Sequence, residues 1–267
     1  MIIPPSLALG NSSEGALLFN YALKLWRERG DEYSVAWALM ELSSANGASL
    51  HPQESIRQAR EALEIYERLG ATEERASCLC TLAKVLRGVG QLDAAEDAVV
   101  ESIRLLSPGE DQESSIFLCL RVLGDIYCDK GQTEEALRQY EEALRIATAL
   151  GSSICLSIAH YVLAEFFTFM TAGDKLDEAQ VHIVQTKSYL SVFDHPSFLG
   201  RATLLHAWIH CRQCRIEDAM SEALHAREIL EGHGTSLEDI DSCNVLLEAL
   251  EVVRGLQGTS QRPEERA

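Results

Sequence analysis

The sharpest chemical candidate in this chain is a short run holding His206, His210, Cys211 and Cys214. On a helix His206, His210 and Cys214 are spaced by four and share a face, so two imidazoles and a thiolate could hold a soft metal ion. Cys211-Arg-Gln-Cys214 also has the spacing of a redox pair, but no strand-to-helix setting that would tune its thiols. A competing pattern decides the expectation: His206 and His210 fall in the positions that Leu123 and Tyr127 fill in an equivalent upstream segment. They are therefore expected to point into a helical hairpin as packed, hydrogen-bonded histidines beside inert thiols, with no metal and no cofactor. No G-x-x-x-x-G-K-[ST] phosphate loop, G-x-S-x-G elbow or H-E-x-x-H pair occurs. Gly88-Val89-Gly90 lacks the third glycine of a dinucleotide turn and reads as a hairpin turn. The chain is not expected to be an enzyme.

The elements that carry these residues follow from composition and period. Apolar residues make up 46% of 267, with six prolines and 6% aromatics, a balance suited to helices rather than to many short strands. The formal charge of −18 repels phosphate backbones and anionic lipid, so neither nucleic acid nor a membrane is an expected partner. No run approaches the roughly 18 apolar residues needed to span a bilayer. Met1-Ile2-Ile3-Pro4-Pro5 lacks the basic start of a signal peptide, and the eight cysteines lie mostly at apolar helical positions. A reducing, cytoplasmic setting with free thiols is expected.

The segment Phe117 to Ala147 sets the pattern. Leu120, Leu123, Gly124 and Tyr127 line one face of a first helix, Gly131 breaks it, and Ala136, Tyr140, Ala143 and Leu144 line the facing stripe of a second. Small residues recur in step with it. On second helices they are Ala22, Ala62, Ser102, Ala143, Thr186 and Ala226, at intervals of 40, 40, 41, 43 and 40. On first helices they are Ser43, Ala83, Gly124, Ala164 and Ala207, at 40, 41, 40 and 43. The expected organisation is an irregular lead-in at 1–13 and a single solenoid at 14–254. Within it lie a half repeat at 14–30, repeats at about 34–70, 74–107, 114–151, 153–195 and 199–232, and a capping helix at 237–254. A disordered tail is expected at 255–267.

The L-G-x-x-Y, G, A-x-x-x-Y-x-x-A pattern of Leu123 to Ala143 resembles the tetratricopeptide repeat (TPR). The resemblance covers about 14–254 and implies an all-α, right-handed superhelical solenoid of antiparallel hairpins that binds protein rather than catalyses. The long period resembles kinesin light chain TPRs. VLGDIYCDKGQTEEAL, AHYVLAEFF and GRATLLHAWIHCRQCRIEDAMSEAL are similar to the C-terminal TPR arrays of fungal NACHT or NB-ARC signalling NTPases.

In TPR arrays the first helices line a concave groove, which here implies one row of Met40, Cys80, Arg121, Tyr161 and Leu204. The adjacent row is Ser44, Lys84, Asp125, Glu165 and Trp208, with Arg87 one turn beyond Lys84. Lys84, Arg87 and Arg121 could take a partner's acidic residues or C-terminal carboxylate, while Tyr161, Glu165 and Trp208 make the other end aromatic and acidic. The absence of asparagine from these rows disfavours chaperone C-termini. Two functions stay open: a protein-interaction scaffold, or a regulatory or sensor module of a larger signalling NTPase. The uncovered helix at 14–30 favours the second, or a contact through that helix.

Overall fold

The computed structural model describes residues 12–106, 112–192, 195–233 and 237–260, and the side chains of all of these except 12–16, 46–50 and 257–260. The expected lead-in up to residue 11, residues 107–111, 193–194 and 234–236, and the tail from 261 lie outside the described residues. Helices follow one another throughout: α1 (Ser12–Arg29), α2 (Glu32–Leu50), α3 (Pro52–Leu69), α4 (Thr72–Gly88), α5 (Leu92–Leu105) and α6 (Glu113–Asp129). Then come α7 (Thr133–Leu150), α8 (Ser153–Phe169), α9 (Leu176–Leu190), α10 (Pro196–Arg212), α11 (Ile216–Gly232) and α12 (Leu237–Ser260). No strand occurs among the described residues. None of the described helices is long and apolar enough to cross a membrane.

Local chemistry sets the helix ends. Asp31 caps α2 by accepting from the Ser34 backbone N–H at 3.1 Å, and Pro52 opens α3 where a missing N–H costs nothing. Gly70 closes α3 at φ 66°, the left-handed region that admits glycine without strain. The buried stripe of α3, Ile56, Ala59, Ala62, Ile65 and Tyr66, faces its neighbours at helical spacing.

Contacts divide the chain into two compact units, Met1–Ile146 and Ala147–Ala267, with the boundary inside α7. A repeat array has neighbour-to-neighbour cores rather than one centre, and the packing of each unit is taken by itself. In the N-terminal unit α2 pairs with α3 and α4 with α5, while α2 packs beside α4 and α4 beside α6. In the C-terminal unit α8 pairs with α9 and α10 with α11; α10 packs beside α8 and α12, and α11 packs on α12. The chain is an all-α, TPR-like solenoid of antiparallel helix hairpins.

Both small-residue series mark close approaches. Ser43, Ala83, Ala164 and Ala207 are wholly excluded from solvent, as are Ala62, Ser102, Ala143, Thr186 and Ala226. At two of the polar positions the hydroxyl turns to backbone, Ser102 Oγ donating to the Ala76 carbonyl at 2.6 Å and Thr186 Oγ1 to the His182 carbonyl at 3.0 Å, while the buried Ser43 hydroxyl has no partner among the described residues. Gly124 is the tightest, since a Cβ there would stand 2.4 Å from Tyr140 Cε1. Ala22, on α1, is only half-buried. Nearby Leu17, Leu18 and Tyr21 are exposed.

One boundary differs from expectation: α12 runs on through Gly255 to Ser260, where a tail was expected from 255. A glycine within a helix costs only about 1 kcal/mol, which the flanking turns of α12 outweigh.

Candidate functional site

In the N-terminal unit the residues expected to line a groove gather on the adjacent first helices α2, α4 and α6. Met40 is half-buried against the core. Lys84 is exposed and forms no ion pair among the described residues. Arg87 and Arg121 are not free cations: both Nη1 atoms donate to Asp125 Oδ2, at 3.2 and 3.1 Å. Arg87 also donates through Nε to Asp129 Oδ2 at 2.6 Å. The other Asp125 oxygen, Oδ1, accepts from the Tyr140 hydroxyl at 2.8 Å. Gly124 thus admits the Tyr140 ring, Tyr140 fixes Asp125, and Asp125 fixes both guanidinium groups. The neighbouring carboxylates and the Arg87–Asp129 hydrogen bond hold the Arg87 guanidinium above its ordinary range, against the larger single effect of burial. Burial pushes the Tyr140 hydroxyl far up, with Asp125 adding to it, so it stays a donor.

Cys80 lies on the same row, buried. A hydrogen bond from Cys119 lowers its thiol and burial opposes that, with Lys84 and Arg121 nearby favouring the thiolate.

In the C-terminal unit the expected residues divide. Leu204 is buried in the core with Ala207 and Ala223, not presented on a surface, because α10 turns it toward α11 and α12. Tyr161 stands edge-on to Phe198 at 5.3 Å, with Arg201 over its ring at 6.0 Å. Burial raises its hydroxyl to about 12, with Glu165 adding to it. Glu165 is exposed. Trp208 lines a cleft of about 470 Å³ with Glu238, Asp241, Ser242 and Val245, an aromatic wall beside two carboxylates. The three cleft residues with polar side chains come from α12, for which the sequence pattern implies only a cap.

The histidine-cysteine run also resolves. His206 and His210 are buried as expected, but α10 ends at Arg212. Cys214 therefore leaves the helical face and sits exposed in the following turn at φ 60°. The third group beside the imidazoles is Glu222 of α11, whose Oε1 lies 3.0 Å from His206 Nδ1. His206 and Lys187 hold the Glu222 carboxyl down at about 2, against a larger opposing effect of burial. Burial, with His206 adding, lowers His210 below the usual imidazole range. All eight cysteines are free.

Comparison with known proteins agrees with this architecture. Residues 118–152 match the family model described as tetratricopeptide repeat. No curated protein matches the sequence. The crystal structure of BtubC from P. vanneervenii is similar at a TM-score of 0.63 with 12% identity, over 97% of this chain and 96% of that one. A Rap protein complexed with Competence and Sporulation Factor is similar at 0.61 with 16% identity, over 94% and 72%. A variant of a kinesin light chain with nearly identical TPR-like repeats, from Podosopora anserina, is similar at 0.56 with 16% identity, over 72% and 93%. Similarity at these identities is similarity of fold. One hairpin carries the tetratricopeptide signature in its sequence, and the TPR-like arrangement extends across the chain.

Proposed function

We propose that this chain is a protein-interaction scaffold, not an enzyme, and that it holds a peptide or protein partner on the exposed faces of its first helices. The observation that carries the reading is Lys84, exposed without an ion pair among the described residues beside two arginines already fixed by Asp125. Lys84, the cation left over beside the charge-balanced group of Arg87, Arg121, Asp125 and Asp129, suits an acidic side chain or a C-terminal carboxylate on the partner. The structure of a Rap protein complexed with Competence and Sporulation Factor supports the reading, since an array of similar fold there holds a separate molecule. In the C-terminal unit the Trp208 cleft, walled by Glu238 and Asp241, suits a cationic side chain. Free thiols and acidic charge fit a reducing, cytoplasmic setting.

Affinity capture with mass spectrometry tests this. Lys84→Glu, alone and with Arg121→Glu, is expected to remove the partners captured by the unaltered chain while helicity by circular dichroism stays the same. An unchanged partner set would refute the role of these residues.

A second reading is a regulatory or sensor module of a NACHT or NB-ARC type NTPase. It draws on the three sequence segments that resemble such arrays and on the exposed Leu17, Leu18 and Tyr21 of α1, which a preceding helix would cover. A full-length transcript encoding only these residues would count against it.

A further inference from the structure

The polar cluster between α9, α10 and α11 has no part in the scaffold reading. His206 and His210 stand four residues apart on α10, with ring centroids separated by 4.3 Å. Glu222 reaches the same point from α11, so that one ligand atom from each of the three lies within 4.8 Å of the others. Only 8% of His206 and 5% of His210 is exposed. His210 Nδ1 is shut off from water and makes no close hydrogen bond, Gln213 being the side chain that interacts with this ring from the end of α10.

Gln180 supplies a second sign. Its Nε2 lies 2.6 Å from His206 Nε2, while its Oε1 is buried and without a partner. Turning the amide, whose two ends have the same shape, lets Oε1 accept from His206 Nε2–H. Metal-binding histidines commonly make this outer hydrogen bond, which fixes the tautomer. Without an ion His206 Nδ1–H can donate to Glu222 across 3.0 Å; in the tautomer set by the turned amide the Nδ1 lone pair faces the carboxylate instead. Two Lewis bases so close are stable around a cation. Lys187 is the cation there now, with Nζ 3.0 Å from Glu222 Oε2 and 3.5 Å from His206 Nδ1. Its side chain is 26% exposed and hangs on a flexible stem, so it can withdraw to solvent.

We propose that His206, His210 and Glu222 form a zinc site, with Gln180 orienting His206 and Lys187 holding the place of the ion. Two imidazoles and a carboxylate suit zinc, and leave a fourth tetrahedral position for water or a donor from a partner. Magnesium and calcium prefer all-oxygen shells. The bound ion would tie α10 to α11.

Titration of the chelator-stripped full chain with zinc, and in parallel with cobalt as a spectroscopic probe, tests the proposal. One ion per chain is expected, with a tetrahedral cobalt spectrum that lacks a thiolate charge-transfer band. Glu222→Gln and His210→Gln should each weaken zinc binding at least about tenfold. Lys187→Met deletes no ligand and should tighten binding several-fold in a protein whose circular dichroism is unchanged. The proposal is overturned by an absence of saturable binding, by a thiolate band pointing to Cys211 and Cys214, or by an affinity indifferent to both Glu222→Gln and Lys187→Met.

Discussion

Each unit contains a polar cluster set into a helix hairpin, and the two are finished differently. In the N-terminal unit Asp125 accepts from Arg87, Arg121 and Tyr140, so both carboxylate oxygens are used. In the C-terminal unit Glu222 is also paired, with Lys187 and His206, but Gln180 Oε1 is buried without a partner among the described residues, and His210 and Gln213 meet without a close hydrogen bond. A satisfied buried network rigidifies the elements it joins, whereas buried polar atoms left over mark a place where something else can bind. The first cluster reads as a lock that presents a surface. The second reads as a site.

The largest expected effect comes from breaking the lock at its smallest residue. In Gly124→Ala the new Cβ would lie 2.4 Å from Tyr140 Cε1, so the ring must move and its bond to Asp125 must lengthen or break. Overpacking of this kind costs about 1–3 kcal/mol, and loss of a hydrogen bond to a charged group adds to it. A loss near ~3 kcal/mol is expected in urea unfolding. Gly200→Ala is the matched control in the other unit, since its Cβ would meet Leu230 Cγ at 2.6 Å in apolar surroundings with no polar cluster to lose. Equal losses at the two glycines would remove the distinction drawn between the clusters.

A second test uses the other imidazole pair of the C-terminal unit. His160 Nδ1 and His182 Nδ1 lie 2.8 Å apart, an arrangement in which one ring donates and the other must be neutral to accept. Burial, with His182 adding, lowers His160 to about 4; burial lowers His182 as well, while Glu178 opposes it. The folded values lie below the unfolded value of about 6.5, so the unfolded chain binds more protons as pH falls. The stability from neutral His160 is complete above about pH 6.5 and is lost toward pH 4. At pH 5 it should amount to a loss of about 2 kcal/mol relative to pH 7.5, read as a lower urea midpoint. His160→Gln should flatten the profile in this window, and an equally steep profile in that variant would show that other groups carry it.

Legibility in the sequence followed the range of the interactions. The hairpins were readable because close helix approach demands a small side chain once per repeat. The two series from Ser43 to Ala207 and from Ala62 to Ala226 are buried throughout. Groove chemistry was readable only in part: the cations were found, but not that Arg87 meets Asp125 and Asp129, which stand 38 and 42 residues away. Those separations bracket the 40-residue period, so charge pairing across one repeat was the available signal. Cys214 falls in the candidate metal set only if the helix is extended two residues past its end. Glu222 was missed because it belongs to the facing helix, though it adjoins Ala223 of the packed stripe.

The smallest expected effect concerns the turn that removes Cys214 from that set. In repeat three Gly131 stands at φ 73°, its N–H bonded to the Cys128 carbonyl at 2.9 Å while Gln132 N–H reaches the Tyr127 carbonyl at 2.8 Å. In repeat five Cys214 makes the same turn at φ 60°, with bonds of 3.0 Å to Cys211 and of 2.9 Å from Arg215 to His210. A side chain in the left-handed region costs about 1–2 kcal/mol, and glycine gives back about 0.4–1 kcal/mol of that through the freedom of the unfolded chain. Cys214→Gly should therefore stabilise the protein by about 0.5–1 kcal/mol, seen as a higher midpoint in thermal or urea unfolding. Because Cys214 is exposed and outside the His206, His210 and Glu222 cluster, the same variant should bind zinc as the unaltered chain does. A stabilised variant with weakened zinc binding would return Cys214 to the ligand set and move the site from between two helices to the end of one.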